Sequence, residues 1–359
     1  MKSPSEYLPA PTSRKLTLRT PDEILAMQFD DSDRLLGDRL MAKGQPFTML
    51  AAGGAGKSRL LLQLIVCMLT GRKFLNFETY GAGLKWLVLQ TENSNRRLQD
   101  DLQKLKQWIG DDWHLVQANL VLHTLETDED GLVYLADVLN QTAVAEAIES
   151  TKPDVVAFDP LGDFGIGNPD KDEDMRETTR TISRLCKKEN PERAIVVLHH
   201  AITGRSGAAK AIGFDRASFG RNSKVLQAWT RGQMNITPVD PDSNERLVIA
   251  CGKCSNGKEF VTFAVALNPA TMIYEVDQNF DIEVWQADIT GKPTGPLMNP
   301  DRVRQLCGKG MDKADLAKAI VKDCGCSRAT AYRQIATAES AKKITKSKAH
   351  VGDDYYIQK

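Results

Sequence analysis

The stretch that decides the fold is the octapeptide Ala51-Ala52-Gly53-Gly54-Ala55-Gly56-Lys57-Ser58. An apolar run at 46–50 precedes it, and a leucine-rich run of helical character follows at 60–66. Strand, glycine-rich loop and helix in this order are typical of a phosphate-binding loop, here with alanine at the position of the usual first glycine. A glycine turn that binds nothing is the alternative, and the presence of both flanking elements argues against it.

This loop predicts a specific chemistry. Glycines let backbone N–H groups turn inward around a triphosphate, and the start of the following helix adds the positive end of its dipole. We expect Lys57 to reach the β- and γ-phosphates and Ser58 to ligate Mg²⁺. The residues expected to complete the cradle are Gly53, Gly54, Ala55 and Gly56. The sequence therefore predicts ATP and Mg²⁺ as cofactors.

The composition limits the class of protein. The chain has 359 residues, of which 42% are hydrophobic and 26% are charged, which is ordinary for a globular protein of two or three domains. It contains no apolar run of about 18 residues, the length of a membrane helix, and no apolar signal segment follows Met1. Seven cysteines without a regular framework favour a reducing compartment. We therefore expect a cytoplasmic protein with no membrane partner.

The charge is distributed unevenly. Residues 302–348 contain twelve lysines and arginines against four acidic residues, a net charge of +8. Since the whole chain is formally neutral, the remainder carries −8. A basic segment attached to an acidic body indicates a nucleic-acid contact near the C-terminal end.

The pattern of apolar segments predicts the organisation of the chain. We divide it into an N-terminal arm at 1–32, a nucleotide-binding body at 33–288, a linker rich in proline and glycine at 289–301 and a basic domain at 302–359. In the body, short apolar strands alternate with helical stretches, which predicts an α/β fold with a mostly parallel sheet covered on both faces. Its last segments alternate apolar and polar residues, so we expect antiparallel strands that continue the sheet.

Acidic residues end two of the predicted strands. Asp159 follows the apolar strand at 154–158, where it could hold the Mg²⁺ shell. Glu92 follows the strand at 86–90, at the edge of a parallel sheet where ligands bind. It could deprotonate the attacking water, or it could cap the helix that begins near Asn95. The residues alone leave both interpretations of Glu92 open.

A histidine pair and a basic segment follow the strand at 194–198. His200 could sense the γ-phosphate, or the pair could be hydrogen-bonded structure. Glycines at 201–224 then separate basic residues that include Arg205, Lys210 and Arg216. These features predict a mobile loop that grips a nucleic-acid backbone, with a solvated surface loop as the alternative.

Two further cations have an ambiguous interpretation. Arg231 and Lys253 lie beyond the basic segment, where a ring-forming ATPase places cations at its neighbour's γ-phosphate. Ordinary surface charge explains them equally well. Cys251 and Cys254 have metal-like spacing, but the other cysteines lie far along the chain, so we interpret them as structural.

Together these residues resemble the RecA-type core of DnaB-like replicative helicases, and most closely that of the hexameric RepA helicases of plasmids, over residues of about 33–280. The resemblance implies that Glu92 is the general base, that His200 senses phosphate and that Arg231 acts on the neighbour's nucleotide. It also implies a six-subunit homo-oligomeric ring that threads single-stranded DNA. Asn93 stands where RepA proteins commonly have an acid.

The basic C-terminal domain resembles a winged helix. Residues 313–322 form its first predicted helix, Gly325 its turn, and a second helix follows Ser327, with wing strands at 344–347 and 355–358 around Gly352. In a helix-turn-helix the second helix enters the major groove, so Arg328, Thr330 and Arg333 are suited to base or phosphate contact. Winged helices also dock proteins. Duplex DNA and a replication protein are therefore the two expected partners.

Two functional hypotheses follow. The first is an ATP-driven DNA helicase for the replication of a plasmid, phage or other mobile element. The second is a nucleotide-switched DNA-binding or regulatory ATPase that does not unwind DNA. The pair Glu92 and Arg231 favours the first, because a switch needs no cation acting in trans.

Overall fold

The computed structural model describes residues 17–131, 133–221, 224–291, 298–347 and 355–358. The chain divides into two compact units, Met1–Asp33 and Arg34–Lys359. The described part of the first unit contains one short helix, α1 (Pro21–Leu25). A capping box starts this helix, since the Thr20 hydroxyl accepts from the Glu23 N–H and the Glu23 carboxylate accepts from the Thr20 N–H.

The second unit contains the strands and the remaining helices. Its strands are β1 (Arg34–Leu36), β2 (Met41–Ala42), β3 (Pro46–Ala51), β4 (Trp86–Gln90), β5 (Leu120–Leu122), β6 (Val155–Asp159), β7 (Ala194–His200), β8 (Gly232–Pro238), β9 (Arg246–Cys254), β10 (Phe263–Asn268), β11 (Ile273–Val276), β12 (Met311–Asp312), β13 (Ile344–Lys346) and β14 (Tyr355–Gln358). Its helices are α2 (Lys57–Leu69), α3 (Asn95–Ile109), α4 (Trp113–Asn119), α5 (Val138–Thr151), α6 (Asp172–Lys187), α7 (Gly204–Ile212), α8 (Lys224–Trp229), α9 (Ile282–Thr290), α10 (Pro300–Cys307), α11 (Lys313–Cys324) and α12 (Arg328–Ser340).

Nine of these strands form one sheet in the order β11-β10-β9-β8-β3-β7-β6-β4-β5. The six strands from β8 to β5 in this order are parallel, and β9, β10 and β11 are antiparallel. The predicted mostly parallel α/β sheet with an antiparallel continuation is therefore confirmed. The sequence analysis missed β8, which lies beside the central strand β3.

Both faces of the sheet are covered, which explains why its central strands are apolar without alternation. On β3, Met49 belongs to the core on one face and Leu50 to the core on the other. Helices α2 to α4 pack into the first core, and α5 to α8 into the second. Each leucine or isoleucine buried in this way stabilises the fold by about 1.5–3 kcal/mol.

The predicted mobile loop at 201–224 is wrong in form. It contains α7, whose residues Gly207, Ala208 and Ala211 are buried. A Cβ on Gly207 would lie 2.1 Å from the Ile202 carbonyl oxygen, so glycine is needed there for a close backbone approach. The small residues that indicated a loop are small because this helix packs tightly on the body.

We call residues 34–290 the ATPase body and the elements from α10 to β14 the C-terminal module. The module contains three helices and a sheet of order β12-β14-β13, and it has its own core with Leu316, Ile335 and Tyr356. Ser327 caps α12 by accepting from the Thr330 N–H, as expected. This is a winged-helix arrangement. Helix α10 begins inside the predicted linker, whose residues 292–297 lie outside the described residues, as does Gly352.

Within the described ranges, we find no helix with the length and apolar character needed to cross a membrane.

Candidate active site

The parallel strands bring the predicted site residues to one edge of the sheet, which we call the carboxyl edge. Ala51, at the end of β3, pairs with His200 at the end of β7. Gln90, at the end of β4, pairs with Asp159 at the end of β6. The phosphate loop, Asp159, His200 and the turn with Glu92 therefore meet at this edge, as the strand-end argument predicts.

The loop conformation requires glycine at defined positions. Gly54 and Gly56 have φ angles of +73° and +78°, a region that other residues rarely adopt. A Cβ on Gly56 would also lie 2.4 Å from the Tyr274 hydroxyl oxygen. Ala51, in contrast, is the buried last residue of β3 and has ordinary strand geometry, so the usual first glycine is not needed here.

Lys57 lies in the floor of the loop and is only 6% exposed. Its Nζ donates to the carbonyl oxygens of Ala51 and Ala52 at 3.3 and 3.0 Å, and it lies 3.4 Å from His200 Nδ1. Burial lowers the pKa of Lys57, while the charges of Asp159 and Glu92 act in the opposite direction. The ammonium is thus held by weak carbonyl acceptors at the position where a β/γ-phosphate would bind.

Asp159 is 2% exposed, and this burial raises its pKa to about 6, against a hydrogen bond from Ser58 that lowers it. Its Oδ1 has no hydrogen-bond partner among the described residues. A buried carboxylate oxygen without a donor needs a compensating group, and oxygen ligands are those that Mg²⁺ prefers. Ser58 and Asp159 therefore fit the predicted Mg²⁺ site.

Glu92 faces the same space. Its Oε1 lies 3.7 Å from His200 Nε2, and about half of its side chain is exposed. Hydrogen bonding from His200 is the main cause that holds the pKa of Glu92 below its usual value, with burial opposing it. The alternative interpretation of Glu92 as a helix cap is wrong, because the cap of α3 is Ser94, which accepts from the Arg97 N–H at 3.4 Å.

The other histidine of the pair has a different environment. His199 is 2% exposed, and burial lowers its pKa to about 4. Its Nε2 lies 3.3 Å from the Arg221 carbonyl oxygen. His199 therefore belongs to the hydrogen-bonded interior, and His200 is the member of the pair that contacts Lys57 and lies near Glu92.

Sequence reasoning missed Gln90, which shapes the turn that presents Glu92. Its Oε1 accepts from the Asn93 N–H at 2.7 Å, and its Nε2 donates to the carbonyl oxygens of Asn93 and His123 at 3.2 and 3.0 Å. A buried amide at the end of an apolar strand was a usable signal, since buried polar groups need partners. Gln90 positions the turn, and Asn93, where RepA proteins commonly have an acid, is part of that network.

A second missed contact holds the phosphate loop from outside. Asn244, between β8 and β9, donates from Nδ2 to the Gly54 carbonyl oxygen at 3.1 Å. The Tyr274 hydroxyl donates to the Asn244 carbonyl oxygen at 2.8 Å, and the Tyr274 backbone exchanges two hydrogen bonds with the Gln63 side chain on α2. Since C=O and N–H point in opposite directions across a peptide, this contact turns the Ala55 N–H toward the loop interior.

Arg231 and Lys253 lie at the opposite edge, which we call the amino edge. The Arg231 N–H donates to the carbonyl oxygen of Pro46, where β3 begins, and Lys253 pairs with Gln233 at the start of β8. The six residues of β3 separate this edge from the phosphate loop by about 17 Å. Burial, and then the charge of Arg231, lowers the pKa of Lys253. The structure therefore does not bring these cations to the chain's own nucleotide site.

The predicted DNA-binding cations of the body do not converge. Arg205 pairs with Asp288 at 3.6 Å, and Arg216 pairs with Glu259 at 2.5 Å. Lys210 instead lines a pocket of about 130 Å³. Two cations that the prediction did not select line the same pocket, namely Arg221 and Lys224.

The predicted DNA contacts of α12 also differ from one another. Arg328 is exposed and its guanidinium lies 5.5 Å from the Tyr332 ring centroid. Thr330 is 1% exposed, and its hydroxyl donates to Asp281 Oδ1 at 3.0 Å. Arg333 binds Asp281 and Glu283. The expectation that all three side chains face a DNA groove is therefore wrong for this arrangement, because α12 packs Thr330 and Arg333 against the ATPase body.

Comparison with protein families gives one match. A family profile described as an AAA domain (AAA_25) matches residues 11–205. No curated protein matches the chain.

Several solved structures are similar to the chain at low identity. The KaiC-like protein PH0186 from the hyperthermophilic archaeon Pyrococcus horikoshii OT3 is 10% identical, with 66% of this chain and 91% of that chain covered and a TM-score of 0.43. The RadB recombinase is 11% identical, with coverage of 66% and 92% and a TM-score of 0.43. The ATPase domain of a DnaB-like helicase is 12% identical, with coverage of 65% and 85% and a TM-score of 0.44. At these scores we base no functional argument on them.

Proposed function

Because the chain belongs to the AAA-domain family, and its core is a RecA-like P-loop ATPase, we propose that it is an ATP-driven DNA helicase that acts as a ring in the replication of a plasmid, phage or other mobile element. The family and the phosphate loop account for ATP binding and hydrolysis. The ring, the DNA and the unwinding are the finer parts of the proposal, and each is supported by a separate observation.

Hydrolysis needs charge neutralisation and a base, and both are present at the carboxyl edge. Mg²⁺ held by Ser58 and Asp159 would withdraw charge from the β- and γ-phosphates. Lys57 exchanges its two carbonyl acceptors for phosphate oxygens, which are far stronger partners for an ammonium. Glu92 stays ionised at neutral pH because its pKa is lowered, so it can accept the proton of an attacking water. His200 contacts Lys57 and lies near Glu92, and it can register the γ-phosphate.

The observation that carries the ring is the division of cations between the two edges. Arg231 and Lys253 lie at the amino edge, about 17 Å from the phosphate loop of the same chain. A second subunit packed with its amino edge against this carboxyl edge would supply them to the nucleotide. Cations that reach the γ-phosphate from a neighbour stabilise transition-state charge and couple hydrolysis to the interface. Repeated head to tail, such contacts close into a ring, for which we propose six subunits.

The pocket lined by Lys210, Arg221 and Lys224 supports single-stranded DNA as the partner of the core. Lys210 lies on α7, which begins four residues after His200. Several cations around one pocket favour a phosphate backbone over a single charged ligand. A helix that follows the phosphate sensor so closely can move a DNA strand as the nucleotide state changes.

A specific observation favours the second candidate function, a nucleotide-switched DNA-binding ATPase. Helix α12 of the C-terminal module is bound to the ATPase body through Arg333. Duplex DNA or a replication protein would meet this module in a controlled rather than a permanent way. Strand displacement on a forked duplex, measured beside DNA-stimulated ATPase, separates the candidates, since only a helicase releases the displaced strand.

Subunit mixing tests the interfacial site. Glu92→Gln should bind ATP and hydrolyse it poorly, and Arg231→Ala should be equally inactive. In mixed assemblies, an Arg231→Ala subunit retains Glu92 and receives Arg231 from a Glu92→Gln neighbour, so some ATPase should return. The matched control Arg180→Ala removes an exposed arginine from α6 and should leave the ATPase unchanged.

Native mass spectrometry of the same mixtures establishes that subunits of both kinds share one assembly. Confirmed mixing without any return of activity would rule out a site completed by a neighbour. A mass that corresponds to a monomer under all nucleotide conditions would contradict the ring.

A further inference from the structure

We propose that the acidic start of α9 and duplex DNA compete for the same face of α12, so that the ATPase body holds the C-terminal module in an arrangement that cannot bind duplex DNA. This rests on the proposed function, in which the module contacts DNA. We call the contact between α9 and α12 the latch.

The latch consists of polar contacts at the beginning of both helices. Asp281, the N-cap of α9, accepts from Thr330 Oγ1 and from Arg333 Nε, both at 3.0 Å. Arg333 also donates from its second guanidinium arm to Glu283. The Ala329 N–H, in the first turn of α12, donates to the Gln278 carbonyl oxygen at 3.2 Å. The body thus engages a hydroxyl, a guanidinium and a helix-start N–H.

These are the groups that a helix-turn-helix uses on DNA. Guanidinium forks bind phosphates and guanine edges, hydroxyls bind phosphates and bases, and the N–H groups at the start of a helix bind phosphate oxygens. Thr330 and Arg333 are three residues apart and share one face of α12. Asp281 and Glu283 present carboxylates to this face where duplex DNA would present phosphates. Both cannot occupy it at once.

The charge distribution is consistent with this competition. The segment 302–348 carries +8 and the rest of the chain −8, so the attraction between module and body has the same sign as that between module and DNA. Arg328 stays outside the latch, exposed over Tyr332, and can make a first contact with DNA while the latch is closed.

The latch can open without unfolding either partner. Helix α9 is fixed to the body by Ile282 and Trp285, which pack in a core with Ala208, and the module has a core of its own. Glu283 Oε1 is buried and has no hydrogen-bond partner among the described residues. A buried carboxylate oxygen without a donor costs free energy, so the closed state is incompletely satisfied. A polyanion that satisfies Arg333 fully can displace it.

The test is to remove the latch charges without changing the shape of α9. Asp281→Asn with Glu283→Gln is isosteric, and asparagine caps a helix as well as aspartate does. We expect duplex affinity, measured by fluorescence anisotropy at fixed salt, to rise by about fivefold or more, the range typical of coupled sites. Glu146→Gln with Glu149→Gln is the matched control, since it removes two exposed charges from α5. It should change affinity by less than about twofold, because exposed distant charges are screened.

The outcomes separate this inference from the proposed function. Duplex affinity equal to that of the wild type in the latch variant, with DNA-stimulated ATPase intact, overturns the competition alone. An equal rise in the control variant also overturns it, as does the absence of duplex binding in every protein. A wild type whose ATPase does not respond to DNA contradicts the helicase instead. The single variant Glu283→Gln, which keeps the native cap, decides the matter if the double variant fails to fold.

Discussion

The phosphate loop and the first turn of α12 are both short stretches whose residue types indicate binding, yet their side chains have opposite surroundings. At the loop, Lys57 donates only to two carbonyl oxygens and Asp159 has a carboxylate oxygen without a partner among the described residues, so both are open to a stronger ligand. At α12, the selected cation Arg333 already binds two carboxylates of the same chain. Residue type alone does not distinguish an available cation from one that is engaged.

The difference follows from how each site is built. The loop is built by neighbours in sequence and by the ends of parallel strands, whose common edge is a consequence of the sheet. The face of α12 is determined by a partner, α9, about fifty residues earlier in the chain. Sites of the first kind are readable from local patterns, whereas sites of the second kind depend on domain packing.

The largest effect is expected at the loop. Lys57→Ala removes the charge that meets the β- and γ-phosphates, so the ATPase rate should fall by at least about a hundredfold. The fold should persist, because burial already lowers the pKa of Lys57 and its partners are backbone oxygens. Steady-state ATPase and thermal melting measure both, with the exposed Lys73→Ala as the control. Turnover near the wild-type rate would mean that the loop is not the nucleotide site.

An intermediate effect is expected at α12, where the comparison can be sharpened within one helix. Arg333→Ala leaves Asp281 and Glu283, each less than a fifth exposed, without their cation, and should destabilise the protein by about 1–3 kcal/mol. Arg328→Ala removes an exposed side chain and should change stability by less than about 0.5 kcal/mol. Chemical denaturation of the two variants measures this difference. Equal stabilities would contradict an engaged Arg333.

The extent of what could be predicted from the sequence follows the same division. The central strands, the phosphate loop, Asp159 and the turn with Glu92 were readable, because continuous apolar runs and strand ends are local signals. Strand β8 was missed, although Met234 and Ile236 are buried, because polar residues interrupt its apolar pattern and are themselves buried, namely Gln233, Asn235 and Thr237. Helix α7 was interpreted as a loop because close packing selects the same small residues that flexibility does.

The smallest expected effect concerns the contact that no local pattern predicts, between Asn244 and the phosphate loop. Asn244→Ala removes a hydrogen bond that orients the Gly54–Ala55 peptide, and one such bond contributes about 0.5–1.5 kcal/mol. If Asn244 prearranges the loop for nucleotide, the KM for ATP should rise by about three- to tenfold while kcat changes less, because Lys57, Glu92 and Asp159 are untouched. Asn279→Ala, in an exposed turn, is the control and should leave KM unchanged. Tyr274→Phe, which frees the Asn244 backbone without removing its amide, should lie between the two. A fall in kcat at constant KM would instead place Asn244 in the chemical step, and the loop would then depend on a distant residue for more than its shape.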